Sequence, residues 1–175
     1  REAIAGHYAE HFNAKVDPAR ILVTPGASGA LLLASQLLVE SGDRALMADP
    51  NYPCNRHFMA LAGAEIDTVP VGRDSGWQLT APLIERHWQA KTRLAMLASP
   101  SNPTGHTLDA EALTKVIDTA AAKGGDVIVD EIYQGLNYDD APLSATSLSD
   151  DAFVVNSFSK YFGMTGWRLG WLVAP

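Results

Sequence analysis

Lys160 ends the run Ser157-Phe158-Ser159-Lys160, which follows three apolar residues, Phe153 to Val155. Gly163, Thr165, Gly166 and Arg168 come next, and then a second apolar run from Leu169 to Val173. Phe153 to Val155 read as a short buried strand, which places Lys160 just past its carboxyl end. An amine held at the edge of a buried sheet is expected to have lost hydration, which lowers its pKa and suits it to Schiff-base chemistry. The bland reading of a single lysine, a loop residue reaching to water, gives way only if other residues supply the rest of such a site.

Those residues would have to sit on elements that bring them together, and the chain alternates in a way that does so. Apolar runs occur at Ile21 to Val23, Ala45 to Met47, Ile66 to Val71, Leu94 to Ala98, Val127 to Val129, Phe153 to Val155 and Leu169 to Val173. Mostly unbroken runs of this length are typical of strands buried on both faces. Helix-like stretches fall between the early ones, at Ser28 to Glu40, Cys54 to Leu61, Pro82 to Gln89 and Asp109 to Lys123, the last closed by Gly124-Gly125. The pattern predicts a three-layer α/β/α domain with a seven-stranded, mostly parallel sheet. The connection from Lys160 to Arg168 is too short for a crossover helix, so the last strand is expected to run antiparallel.

In open sheets of this kind ligands bind beyond the carboxyl ends of the strands. The loops there carry Thr24-Pro25-Gly26-Ala27-Ser28-Gly29, Asp49-Pro50-Asn51-Tyr52-Pro53, Ser99-Pro100-Ser101-Asn102-Pro103-Thr104-Gly105 and Asp130-Glu131-Ile132-Tyr133. The first leads into a helix whose free N–H groups and positive dipole end suit a phosphate. Each loop alone has an ordinary explanation: a tight turn at Gly26, a proline turn at Asn102, a capping role for Asp130, a packed ring at Tyr52 or Tyr133. Together they supply an anion site, a carboxylate, hydroxyl and amide donors, and a flat ring around one lysine, the set that a phosphorylated aldehyde cofactor requires.

Composition narrows the rest. The 175 residues are 47% hydrophobic and 19% charged, enough for one domain with a sizeable core. A net charge of -7 without a basic cluster argues against nucleic-acid partners. Cys54 is the single cysteine, so no internal disulfide forms. No segment reads as a membrane span or a signal peptide, and the cytoplasm is the expected compartment. The chain starts within a helix-like pattern at Arg1 and stops at Pro175 straight after a strand, as expected of a piece of a longer protein.

The ordered set Asn102-Pro103-Thr104-Gly105, Asp130-Glu131-Ile132-Tyr133 and Ser157-Phe158-Ser159-Lys160, followed by Met164-Thr165-Gly166-Trp167-Arg168, resembles the class I and II aminotransferases of fold type I. The resemblance covers essentially the whole chain, read as the cofactor-binding large domain, and it implies pyridoxal 5'-phosphate as cofactor. By resemblance Lys160 forms the Schiff base and shuttles the proton. Asp130 lies against the pyridine nitrogen, Asn102 and Tyr133 donate to the phenolate oxygen, and Tyr52 stacks on the ring. The backbone of Gly26, Ala27 and Ser28, with Ser157 and Arg168 and with help from Ser159, clamps the phosphate. The implied substrates are an amino acid and a 2-oxo acid, and the implied assembly is a homodimer with the site near the subunit interface. The family's N-terminal segment and small C-terminal domain, with the arginine that binds the substrate carboxylate, fall outside these residues.

Other readings compete. A carbon–sulfur lyase or related eliminase, or a cofactor-sensing domain of a transcriptional regulator, would keep Lys160 and Asp130. Ser157-x-x-Lys160 also fits the S-x-x-K pattern of penicillin-binding enzymes, but the companion S-D-N and K-T-G motifs do not occur. His7-Tyr8-Ala9-Glu10-His11 spells H-x-x-E-H, a zinc pattern, yet it also reads as the polar side of an amphipathic helix whose apolar side is Ile4, Tyr8 and Phe12. No metal is expected, and Cys54 reads as inert packing.

Overall fold

In a computed structural model that describes residues 1–138 and 141–175, all seven apolar runs become strands of one sheet. In chain order these are β1 (Ile21–Thr24), β2 (Arg44–Asp49), β3 (Glu65–Pro70), β4 (Thr92–Ala98), β5 (Asp126–Asp130), β6 (Ala152–Ser157) and β7 (Gly170–Val173). The order across the sheet is β1-β7-β6-β5-β4-β2-β3. Strands β2 to β6 pair in parallel, and β7 runs antiparallel to both of its neighbours, β1 and β6. The expected reversal of the last strand is therefore present. Its place is inside the sheet, not at an edge, so β1 points the same way as β6.

Successive residues along each strand alternate between two cores. Ala95, Leu97, Val127, Val129, Val154, Trp171 and Val173 face one. Leu94, Met96, Ile128, Phe153, Val155 and Leu172 face the other. Burial on both faces explains why these runs carry no polar alternation in the sequence.

Helix α1 (Glu2–Phe12), α4 (Ala81–His87) and α5 (Ala110–Ala122) cover the first face, and α2 (Gly26–Leu38) and α3 (Asn55–Leu61) cover the second. Helix α5 forms because Leu113, Val116, Ile117 and Ala120 make one buried stripe, while the Asp109 side chain accepts from the Ala112 N–H at 2.8 Å and caps its start. It stops where Gly124 takes φ +76°. Helix α2 begins two residues earlier than Ser28, so Gly26, Ala27 and Ser28 form its first turn and not a preceding loop. Ala27, Ala30 and Ala34 are buried on it, and their small size lets the helix axis lie close to the sheet.

Parallel alignment sets the carboxyl ends of β1, β4, β5 and β6 along one edge. There, Ala98 pairs with Asp130 and Asp130 with Val155, while Gly170 lies between Thr24 and Ser157.

Candidate active site

Asp130 is the last residue of β5, and its Oδ1 accepts from the Ile132 N–H at 3.0 Å, which turns the chain and fixes the carboxylate. The side chain faces the α2 side and is 7% exposed. Burial raises its pKa to about 6, against the opposing pull of the Ile132 N–H. A carboxylate so placed is desolvated, and a cationic N–H brought opposite it would relieve that cost. It lines a cleft of about 180 Å3.

Asn102 and Tyr133 line the same cleft from two different loops. The Asn102 amide donates to the Tyr133 hydroxyl at 3.4 Å, so both polar tips converge on one point of the wall. The Asn102 loop is closed on itself by Gly105 N–H to Ser101 C=O at 2.7 Å and Ser101 N–H to His106 C=O at 2.9 Å. Two buried glutamines anchor it. Gln78 donates to the carbonyls of Ala98 and His106, and Gln134 donates to Ser99 C=O while accepting from the Leu143 N–H. Sequence reasoning missed both, because an isolated glutamine carries no pattern that separates it from a solvated one. Tyr52 stands on the opposite rim, 39% exposed, and its pKa is raised chiefly by a hydrogen bond with the Cys54 thiol.

Lys160 follows β6 and also lines the cleft, with Nζ 5.7 Å from the centre of the Tyr133 ring. It is exposed, so the dehydrated amine expected at this strand end is not what these residues provide by themselves. The loop that carries it is nonetheless tightly held. Phe158 N–H donates to Leu169 C=O at 3.0 Å, Met164 N–H to Phe158 C=O at 2.9 Å, and the Thr165 hydroxyl to Ser159 C=O at 2.8 Å. Beneath it Phe158 packs on Trp171 and Phe162, and Phe162 packs edge-on with His7 of α1. That contact gives the His7–His11 segment a packing role, with Ile4, Tyr8 and Phe12 buried on the helix as expected. Among the described residues no group of three metal-binding side chains gathers.

The last corner has the groups that could hold an anion. No side chain caps the start of α2, which leaves its first N–H groups unpaired by the helix. Ala27, Ser28, Ser159 and Arg168 line the cleft here. Arg168 takes a left-handed backbone (φ 52°), and its guanidinium Nη2 lies 2.5 Å from where a Cβ on Gly26 would stand; Gly26 itself takes φ +74°, a backbone that favours glycine. Gly26 and Ser157 do not line the cleft. Ser157 is fully buried, and its Oγ accepts from the Ser159 N–H at 3.0 Å, shaping the loop from below.

The cleft thus offers an uncapped helix start and a guanidinium at one end, a buried carboxylate, two converging polar tips on the wall and a primary amine. The family described as "Aminotransferase class I and II" matches residues 1–175. A valine–pyruvate aminotransferase of Mycobacterium tuberculosis (strain ATCC 25618 / H37Rv) is 41% identical over 177 residues, a match that takes in 100% of this chain and 45% of that protein. The solved structure of an aminotransferase from Mycobacterium tuberculosis superposes with a TM-score of 0.93 at 40% identity, over 99% of this chain and 45% of that one. An aromatic aminotransferase from Pyrococcus horikoshii OT3 gives 0.92 at 32% identity, over 99% of this chain and 48% of that one. The chain spans about half the length of the relatives it matches.

Proposed function

Because the chain belongs to the class I and II aminotransferases, a pyridoxal 5'-phosphate-dependent family, we propose that the whole protein is a transaminase and that residues 1–175 are its cofactor-binding large domain. The observation that carries this reading is the convergence of Asp130, Asn102, Tyr133, Lys160 and Arg168 on one cleft.

The donor set fits the cofactor group for group. The free N–H groups of Ala27 and Ser28, with the Arg168 guanidinium over Gly26, would bind the phosphate, and Ser159 would add a hydroxyl. Ser157 supports this corner through the Ser159 N–H. Asp130 would accept the ring N–H and hold its proton there, a partner that its own burial favours. Asn102 and Tyr133 would donate to the phenolate oxygen, and Tyr52 would cover the ring face. When bound, pyridoxal phosphate supplies an aldehyde that condenses with amines and a ring that accepts an electron pair from the substrate α-carbon. Lys160 would provide the attachment point through Nζ and, once displaced by the substrate amine, would move the proton between the substrate α-carbon and the cofactor.

The substrate classes are an amino acid as donor and a 2-oxo acid as acceptor, in line with the two named for the valine–pyruvate relative. No helix among the described residues is long and apolar enough to cross a membrane, and a cytoplasmic homodimer is the proposed setting. The test is borohydride reduction of the full-length protein loaded with cofactor, followed by peptide mapping and a screen of donor and acceptor pairs. The reduced adduct is expected on Lys160 with turnover of at least one pair. An adduct on a different lysine would overturn the site.

A further inference from the structure

The side chain that follows Asp130 points through the sheet to the other face. Glu131 is completely buried, and its Oε1 accepts from the Ala145 N–H at 2.6 Å, where a short 3-10 turn (Ala145–Ser147) begins. The neighbouring Ser144 side chain, like the Ala145 N–H, opposes the rise that burial gives the pKa of this carboxyl. Its other oxygen, Oε2, is buried without a partner among the described residues. On the same face of the sheet the Tyr8 hydroxyl accepts from the Trp171 indole N–H at 2.9 Å, and its pKa is raised by burial and, next, by Glu131.

A buried carboxyl with one oxygen unsatisfied costs more than an apolar residue of the same shape would, and nothing in the cofactor chemistry above employs it. What it holds is the turn that carries the cleft wall. The backbone of Glu131 donates to Val155 C=O at 2.8 Å and its carbonyl accepts from the Gln134 N–H at 2.9 Å, so Asp130 and Tyr133 lie on either side of one anchored unit. The side chain ties that unit to residue 145, fourteen positions on.

We propose that Glu131 is a positioning residue for the Asp130–Tyr133 wall, setting the direction of both side chains from the face of the sheet opposite the cleft. The inference rests on the cofactor reading only for one of its two readouts.

The test uses the full-length protein and four variants, measuring cofactor affinity by absorbance titration and amide exchange of the peptide spanning residues 130–136. Glu131→Gln keeps an acceptor for Ala145 and is expected to stay within about threefold of wild type in both. Glu131→Leu keeps the shape without the acceptor and is expected to weaken cofactor binding at least tenfold and to speed exchange at least tenfold. Ala145→Pro removes the donor and adds ring atoms at a buried position, at the first position of its 3-10 turn after an extended Ser144, and is expected to act in the same direction. Val116→Ala, a core change in α5, should lower the melting point while leaving both readouts alone. Should Glu131→Leu fail to fold, Ala145→Pro decides the matter. Wild-type affinity and exchange in the folded Leu or Pro variants would overturn the proposal. Wild-type protein that takes up no cofactor would instead refute the functional reading, and exchange would still report on Glu131.

Discussion

The side-chain amide of Asn102 and the hydroxyl of Tyr133 meet at 3.4 Å although 31 residues separate them in the chain. They meet because β4 and β5 are parallel neighbours with Ala98 opposite Asp130, so the loops that leave these strands start side by side.

Two donors converging on one acceptor should not act independently. Asn102→Ala and Tyr133→Phe are each expected to lower kcat/KM by about 10- to 100-fold, the range for a hydrogen bond to a charged oxygen. The double variant is expected to lose more than the product of the two, since the remaining donor carries more of the load once its partner is gone. Steady-state kinetics of the three variants in the full-length protein check this. Strict multiplicativity would place the two tips on separate acceptors.

Asp130→Asn keeps the shape of the side chain and removes its charge. If the carboxylate holds a ring proton, kcat is expected to fall by about 100-fold or more while the fold is retained. Near-normal turnover in a variant with unchanged circular dichroism would remove Asp130 from its assigned role.

Burial raises the pKa of Glu131 to about 8 and that of Asp130 to about 6, from ordinary values of 4.5 and 3.8. Both groups bind protons more tightly folded than unfolded, so the folded state carries the excess protons and stability falls as pH rises. The loss from Asp130 spans about pH 4 to 6, and that from Glu131 about pH 4.5 to 8. Cofactor-free protein is therefore expected to be more stable at pH 5 than at pH 8, by something on the order of a few kcal/mol. Glu131→Gln should flatten most of that slope. Urea unfolding of both proteins at the two pH values measures it, and an equally steep slope in the variant would mean that Glu131 is not the group titrating.

Much of this was legible in the residues, for a physical reason. A strand buried on both faces must be apolar throughout, so Val127 to Val129 and Phe153 to Val155 stand out, and polar residues straight after such runs mark strand ends. That logic led directly to Asn102, Asp130, Tyr133 and Lys160. The insertion of β7 between β1 and β6 was not legible, because pairing partners far apart in the chain leave no local trace. Neither was the exposure of Lys160. Glu131 and Gln134 were passed over for a related reason: at a strand end, a polar side chain aimed into a core has the same spelling as one aimed at water. Ser157 belongs here too, since a motif gives its position and not the direction of its hydroxyl.

Gly170 was equally silent, and it offers a sharp test of the anion corner. It starts β7, flush between Thr24 and Ser157, and a Cβ there would press on Gly26 C, lie 2.6 Å from Ala27 N and 2.8 Å from Gly26 Cα. These are backbone atoms of the first turn of α2, which cannot rotate aside. Gly170→Ala should therefore push the N–H groups of Ala27 and Ser28 away from the cleft, at a stability cost of about 1–3 kcal/mol for an overpacked contact. The consequence for ligands is selective. Affinity for pyridoxal 5'-phosphate is expected to fall at least tenfold, while that for pyridoxal, which has no phosphate to bind at the helix start, should hardly change. Titrating wild type and variant with both compounds separates the two, and an equal loss for each would mean that the start of α2 is not where the phosphate sits.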